Sequence, residues 1–145
     1  IYLKQIPRKV LVPSLSNYLG LAMIDADFRF KDAPIDSKKE FIHWLVVNIP
    51  ASGISSSYRI PIEQGQELVS FMPSQPDEGT GIHRYMFFLF EYENKMNFDA
   101  FDRIYDNKDL QKRANFDFKL ERFANEHKLG APVGFFMYQC KNENE

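Results

Sequence analysis

The residues of this chain that could do chemistry are few and lie in apolar surroundings. Its three histidines are His43, His83 and His127. His43 and His83 each lie in a run of branched and aromatic residues typical of a β-strand. Asp25 and Asp27 follow a third apolar run, and residues two apart in extended backbone point to the same side. These four side chains could together bind a polar or anionic group, with imidazoles donating to its oxygens and carboxylates orienting them.

Each of these residues also has a purely structural interpretation. An aspartate pair at a strand end often caps a turn, and a histidine inside a strand is often a core residue with satisfied hydrogen bonds. Spacing alone leaves both interpretations open. The backbone N–H groups of Gly79–Gly81 could add anion contacts that need no side-chain charge.

Patterns of common catalytic and metal sites are missing from the sequence. It contains no H-E-x-x-H and no G-x-S-x-G motif, and Cys140 has no histidine near it along the chain. A single cysteine excludes an internal disulfide and a multi-cysteine zinc site. Gly79–Gly81 precedes a strand, and no Gly-Lys-Ser/Thr follows, which excludes a nucleotide-binding P-loop. We therefore predict a protein that is not an enzyme and uses no metal or cofactor.

Composition indicates one globular domain with an aromatic core. The 145 residues include 14 Phe and 7 Tyr, and 44% of them are hydrophobic. With 18 Lys and Arg against 20 Asp and Glu, the net charge is -2. No global positive field therefore draws the protein to nucleic acid or acidic lipid. The apolar runs are far shorter than about 18 residues, so no transmembrane segment is predicted.

Four apolar runs are predicted strands, and one segment is a predicted helix. The strands are 19–24, 41–49, 82–91 and 133–139. The helix is 116–129, with Asn115 as its N-cap and Gly130 at its stop. Charges across 28–40 predict that the first strand ends before them, and the proline-rich segment 58–78 is predicted to lack a long helix. Without regular strand–helix alternation, this order favours an antiparallel or mixed β-rich core.

Two of these strands resemble motifs of the phosphatidylethanolamine-binding protein family. The run Phe41-Ile-His-Trp-Leu-Val-Val-Asn-Ile-Pro50 is similar to that family's H-W-L-V-x-N-I-P strand. Gly79-Thr-Gly-Ile-His-Arg-Tyr85 is similar to its G-x-G-x-H-R-Y strand. Met23-Ile-Asp-Ala-Asp27 lies where the family has D-P-D-A-P, and 129–139 resembles its closing A-P-V-x-x-x-x-Y-Q segment.

The resemblance implies a mainly β fold, an antiparallel β-sandwich with small peripheral helices, one of them near the C-terminal end. It divides the chain into an N-terminal extension or truncated strands (1–18), a family-like domain (19–140) and a polar tail (141–145). It implies a non-catalytic protein whose ligand is phosphate or a phospholipid head group, or whose partner is a protein such as a kinase. The anion pocket that it implies consists of Asp25, Asp27, His43, Pro76, Gly81, His83 and Tyr85.

Departures from the family pattern point to one branch, its members in the mitochondrial large ribosomal subunit. Residues that replace family residues around the pocket are Ala26, Phe28, Arg29 and Asp77. The run 71–84 resembles that branch's L-P-x-x-P-x-x-G-x-G-I-H-R segment, 109–118 resembles its x-L-x-x-R segment, and 135–140 resembles its closing F-F-x-C strand. Bulk and negative charge beside an anion pocket are the expected consequences of these replacements.

Two functions are therefore predicted. The first is a structural constituent of the mitochondrial large subunit, in the matrix, contacting neighbouring ribosomal proteins and little rRNA because the net charge is -2. The second is a free-standing, cytoplasmic head-group or partner-binding protein. Under the ribosomal prediction, Phe98, Phe101 and Tyr105 are candidate anchors for contacts with neighbouring subunits. The alternative, under either function, is that they form a satellite core. The start at Ile1, without an initiator Met or a signal-peptide pattern, is expected of part of a larger protein.

Overall fold

The fold, seen in a computed structural model, is built on a five-stranded antiparallel sheet. The described residues are 17–54, 59–98, 109–115 and 117–145. The strands, in the spatial order β3-β2-β1-β4-β5, are β1 (Tyr18–Phe28), β2 (Lys39–Pro50), β3 (Gln66–Val69), β4 (His83–Tyr92) and β5 (Gly134–Cys140). Between β4 and β5 in the chain lie two short helices, α1 (Leu110–Asn115) and α2 (Leu120–Glu126). Single 3₁₀ turns occupy Ile35–Ser37, Ala51–Gly53 and Ile62–Gln64.

The central strand β1 is buried on both faces. One face packs Ala22 and Ile24 in a cluster with Phe123 of α2, and the other packs Leu21 with Leu89 of β4. A strand covered on both sides needs apolar residues at consecutive positions rather than alternation. The continuous apolar run at the start of β1 follows from this position in the sheet.

Most predicted elements are confirmed, but β1 is longer than predicted. It continues to Phe28, with Asp25 paired to Tyr85 of β4 and Phe28 paired to Lys39 of β2. Asp25 and Asp27, which follow the predicted run, have partners on β4, His83 and Arg84, and β1 ends just before the charged segment that begins at Arg29. Strand β3, only four residues long and paired with β2, lies in the segment for which no strand was predicted.

The predicted helix 116–129 is wrong in its first part. Asn115 is the last residue of α1 rather than an N-cap, and α2 begins only at Leu120, after Lys119 in extended conformation. The predicted apolar face persists, because Leu120, Phe123 and Ala124 are buried. The helix also ends at Glu126, three residues before the predicted end, although Gly130 beyond it has the left-handed φ of +71° expected at a stop.

The mainly β fold with small peripheral helices is confirmed; the described residues form one antiparallel sheet rather than the two sheets of the implied sandwich. Phe98 is buried in the main core cluster and stacks on Phe123, so for this residue the contact-anchor prediction is wrong and the core it joins is not a satellite. Phe101 and Tyr105 lie outside the described residues. None of the helices in the described ranges is long and apolar enough to cross a membrane.

Candidate functional site

A cavity of about 290 Å³ lies at the end of the sheet where β1 finishes and β2 and β4 begin. Antiparallel pairing brings these three strand ends together, which explains how residues distant in sequence meet here. Five of the seven residues predicted for the pocket line it, namely Asp25, His43, Pro76, His83 and Tyr85. These five residues share one cavity, and ligand binding there stays a prediction.

The other two predicted pocket residues, Asp27 and Gly81, are not among those that line the cavity. Asp27 accepts hydrogen bonds from the side chain of Arg84 at 2.7 and 3.0 Å and from its backbone N–H at 3.0 Å. These bonds hold the pKa of the Asp27 carboxyl below its usual range. The N–H of Gly81 donates to Oε1 of Glu145 at 3.1 Å. Irregular register between Asp25 and Phe28 turns the two carboxylates to different partners.

Asp25 and His83 form a buried pair beneath the cavity. Oδ2 of Asp25 lies 2.6 Å from Nδ1 of His83, and both side chains are 1% exposed. The other carboxylate oxygen, Oδ1, accepts the backbone N–H of Asp27 at 2.8 Å. Burial raises the pKa of the Asp25 carboxyl, although the hydrogen bond from His83 opposes that rise.

Thr80 determines where the protons of this pair lie. Its hydroxyl has one proton, and Oγ1 is 2.6 Å from the carbonyl oxygen of Asp77, which can only accept. Oγ1 is also 2.8 Å from Nε2 of His83, so that nitrogen must carry the proton it donates. The Asp25–His83 pair therefore holds one shared proton on the Nδ1 side and is neutral overall, whichever partner carries it.

His43 is neutral and has a defined tautomer. Its Nδ1 lies 2.8 Å from the carbonyl oxygen of Met72, which accepts, so Nδ1 carries the proton. Burial lowers the pKa of His43 to about 4, which leaves Nε2 as an unprotonated acceptor at neutral pH. The expectation that this imidazole donates to an anion is therefore wrong for the neutral ring.

Tyr85 forms an aromatic wall between the two histidines. Its ring centroid lies 5.2 Å from that of His43 and 6.4 Å from that of His83, and its other face stacks on Tyr138 of β5. Burial, with Asp25 nearby, raises the pKa of the Tyr85 hydroxyl above its usual range. The hydroxyl therefore keeps its proton and remains a donor.

Residues that the sequence did not assign to the pocket complete its lining. They are Phe28, Arg29, Met72, Pro73, Gln75, Asp77 and Leu110. Most belong to the loop between β3 and β4, where spaced prolines beside the glycine motif were the available signal. Arg29 donates to the carbonyl oxygens of Ala33 at 2.8 Å and of Gly79 at 2.9 Å. It therefore ties the end of β1 to the pocket rim.

No group of three or more metal-ligating side chains is arranged to hold a metal ion within the described parts of the chain. The cavity combines acceptors, apolar walls and the one guanidinium of Arg29. Such a set can hold a small polar group by hydrogen bonding.

Comparisons with known proteins agree with this geometry. The solution structure of CG7054 matches with a TM-score of 0.60 and 31% identity, covering 89% of this chain and 65% of that one. A phosphatidylethanolamine-binding protein from Plasmodium vivax matches with a TM-score of 0.59 and 24% identity, covering 88% of this chain and 65% of that one. The second likeness concerns the fold alone.

A 26 kDa secreted antigen of Toxocara canis is 29% identical over 121 residues. The match covers 83% of this chain but only 41% of that protein, so the chain spans less than half of this relative's length. The family model described as phosphatidylethanolamine-binding protein matches residues 8–138. The chain belongs to the phosphatidylethanolamine-binding protein family.

Proposed function

We propose that this chain is a non-catalytic member of its family that serves as a structural constituent of the mitochondrial large ribosomal subunit. Strand β5 carries the proposal. It is the last strand of the sheet as described, and its Phe135, Phe136 and Met137 are 48%, 38% and 41% exposed. Successive strand residues point to opposite faces, so apolar surface is offered on both sides. Such clustered exposure is typical of a protein-contacting surface.

The hydrogen bonding around the cavity supports an assembly role. The side chains of Asp25, His83 and Thr80 are joined by hydrogen bonds, and His43 is hydrogen-bonded to a backbone carbonyl. Their presence therefore has a structural reason that needs no ligand, as expected where the pocket is a relic of the fold. The net charge of -2 fits contacts with neighbouring ribosomal proteins and little with rRNA. Under this proposal the protein lies in the mitochondrial matrix.

The test is sedimentation of the protein that carries this chain from a mitochondrial lysate. We expect a tagged copy to move with large subunits through a sucrose gradient. A double variant, Phe135→Ser with Phe136→Ser, should lower the co-sedimenting fraction several-fold. The matched control is Ile35→Ser. Ile35 is an apolar residue that is 65% exposed and lies in the 3₁₀ turn between β1 and β2 rather than in β5. Recovery of the wild-type protein only in the soluble fractions would overturn the proposal.

A second function, binding of a phosphate or phosphorylated head group by a free-standing cytoplasmic protein, is favoured by one observation. The residues that line the cavity include a cationic side chain, Arg29, and Tyr85, whose hydroxyl keeps its proton. Both are donors to anion oxygens, and charge-assisted hydrogen bonds are the stronger kind.

This second function is tested by calorimetric titration of the chain with inorganic phosphate and with O-phosphorylethanolamine. We expect millimolar or tighter binding that weakens several-fold in Tyr85→Phe. The matched control is Tyr138→Phe, because Tyr138 stacks on Tyr85 without lining the cavity. Absence of binding by both compounds would exclude the pocket function, and preference for the second compound would identify a head group rather than free phosphate.

A further inference from the structure

The polar tail 141–145 folds into a turn beside the cavity. The side-chain Oδ1 of Asn142 accepts the backbone N–H of Asn144 at 3.0 Å, and the backbone carbonyl oxygen of Asn142 accepts the N–H of Glu145 at 3.1 Å. An asparagine that bonds the backbone two residues further on stabilises such a turn. These bonds leave the Nδ2 of Asn142 and the carboxylate of Glu145 available for contacts outside the turn.

Both of these groups bind the segment 73–81 between β3 and β4, which we call the rim loop. Nδ2 of Asn142 donates to the carbonyl oxygen of Pro76 at 3.0 Å. Oε1 of Glu145 accepts the backbone N–H of Gly81 at 3.1 Å. The second bond is charge-assisted and therefore of the stronger kind. The tail thus holds the rim loop at two points.

The rim loop is built so that it depends on such holds. It contains no helix or strand. Gly79 and Gly81 both have a φ of +82°, and nothing lies within 4 Å of a Cβ added at either position. Backbone with the conformational freedom of glycine and few packed neighbours opens locally at low cost in free energy.

The ends of the rim loop have anchors that are independent of the tail. Just before it, the N–H of Met72 donates to the carbonyl oxygen of His43 at 2.9 Å. Near its other end, Arg29 donates to the carbonyl oxygen of Gly79 at 2.9 Å. The bond to Pro76 falls between these anchors, on a stretch that lines the cavity. Release of the tail would free the middle of the loop while these anchors stay in place, which is the geometry of a lid.

We propose that the tail 141–145 is a strap that closes the rim loop over the cavity and so controls whether small solutes reach it. With the strap engaged, His43 lines the cavity and is only 4% exposed. This role goes beyond both functions proposed above, because it requires neither a ribosome nor a bound ligand. Its failure would leave both of those proposals untouched.

The test is the rate at which diethyl pyrocarbonate modifies His43 at neutral pH in the protein that carries this chain, measured by mass spectrometry of its peptides. This small reagent acylates an unprotonated imidazole nitrogen, which His43 has at Nε2. We expect Glu145→Ala and Asn142→Asp each to raise the rate about three- to tenfold, as loss of one hydrogen bond predicts. Asn142→Asp keeps the acceptor that closes the turn and removes the donor to Pro76.

The matched controls lie in the same tail. Glu143→Ala and Asn144→Asp make the same changes of charge at side chains that do not bind the rim loop in the described structure, so both should react as the wild type does. His127, outside the cavity, is the internal reference. An unchanged rate at His43 in both strap variants, or an equal rise in the controls, would overturn the inference. A parallel rise at His83 would overturn it too, because the tail would then be stabilising the whole fold rather than closing the rim loop.

Discussion

The two strand histidines have different electrostatic roles although both are almost fully buried. His83 is held between a carboxylate and a hydroxyl and shares a proton with Asp25. His43 faces a backbone carbonyl and is kept neutral by burial. Burial makes protonation of the His43 imidazole unfavourable in the folded state, and this has consequences for stability against pH.

Stability should fall as the pH is lowered past the ordinary pKa of histidine, because of His43. Its pKa is 6.5 when exposed and about 4 in the fold, so between these values the unfolded chain binds a proton that the native chain does not. Between pH 7 and pH 5 this costs about 2 kcal/mol of unfolding free energy. Urea unfolding at both pH values should show the loss in the wild type and a correspondingly smaller loss in His43→Gln.

The comparison with the variant isolates His43 from other titrating groups. The lowered pKa of His127 acts in the same direction, and the raised pKa of Asp25 acts in the opposite one, but both groups are present in both proteins. Their contributions cancel in the difference between the two pH profiles. Equal losses in wild type and variant would show that His43 does not titrate as inferred.

The Asp25–His83 pair should contribute to stability as a unit. His83→Leu removes the partner of Oδ2 of Asp25 and of Thr80, leaving buried polar groups unsatisfied, so we expect a loss of about 1–3 kcal/mol. Asp25→Asn combined with His83→Leu should cost less than the two single changes added together. Chemical denaturation of the four proteins measures this coupling.

The control for that cycle is His127→Leu. His127 packs against the rings of Phe98 and Phe123 in a tilted arrangement and is only partly buried, so leucine keeps apolar contact there and the loss should be smaller. Additive losses in the Asp25 and His83 cycle would contradict the pairing.

Five residues that line the cavity could be predicted from the family resemblance of the strand motifs, whereas spacing alone left their role open. Asp27 could not be placed, because a register irregularity decides its direction and a two-residue spacing does not reveal one. The orientation of Arg29 depends on two carbonyls, of Ala33 and Gly79, that are brought near its terminal nitrogens only by the folded loops. Long-range loop contacts of this kind have no local signature.

At the scale of elements, predictions succeeded where burial dominates and failed where a short element depends on a neighbour. The runs that form β1, β2 and β4 are apolar enough to be predicted as strands from the sequence. Strand β3 has only four residues, two of them exposed, and exists because it pairs with β2. Local propensity could not reveal an element that its partner stabilises.

The close packing of β3 beside β2 depends on Gly65, which lies between the 3₁₀ turn Ile62–Gln64 and the start of β3. A Cβ at this position would lie 2.7 Å from Cγ1 of Ile49, 2.7 Å from Cγ1 of Val46 and 2.9 Å from the carbonyl oxygen of Val47. We expect Gly65→Ala to lower the unfolding free energy by about 1–3 kcal/mol, since the strand edge must move away from β2. Urea denaturation measures the change.

The matched control for this junction is Gly20→Ala in β1, where the nearest atom to an added Cβ is at an ordinary 3.6 Å. This variant should be close to neutral, because alanine also reduces the entropy of the unfolded chain. A neutral Gly65→Ala would mean that the approach of β3 to β2 is looser than the structure has it.

At the scale of the whole molecule, charge and apolar exposure together suggest how the protein would join a ribosome. The net charge of -2 offers no field that attracts rRNA phosphates, whereas β5 presents Phe135, Phe136 and Met137. Apolar burial depends little on ionic strength, and phosphate contacts depend on it strongly. The two modes of association therefore predict different responses to salt.

Association with the large subunit should accordingly resist salt. A protein that neutralises six to ten phosphates loses about 10³–10⁵ in affinity between 50 and 200 mM salt, because bound counterions are no longer released as favourably. For this protein we expect a loss below about tenfold over the same range. Binding of the labelled protein to isolated large subunits at the two concentrations measures it, with a strongly basic ribosomal protein as reference. A steep salt dependence matching that reference would mean that rRNA, rather than protein neighbours at β5, holds the domain in place.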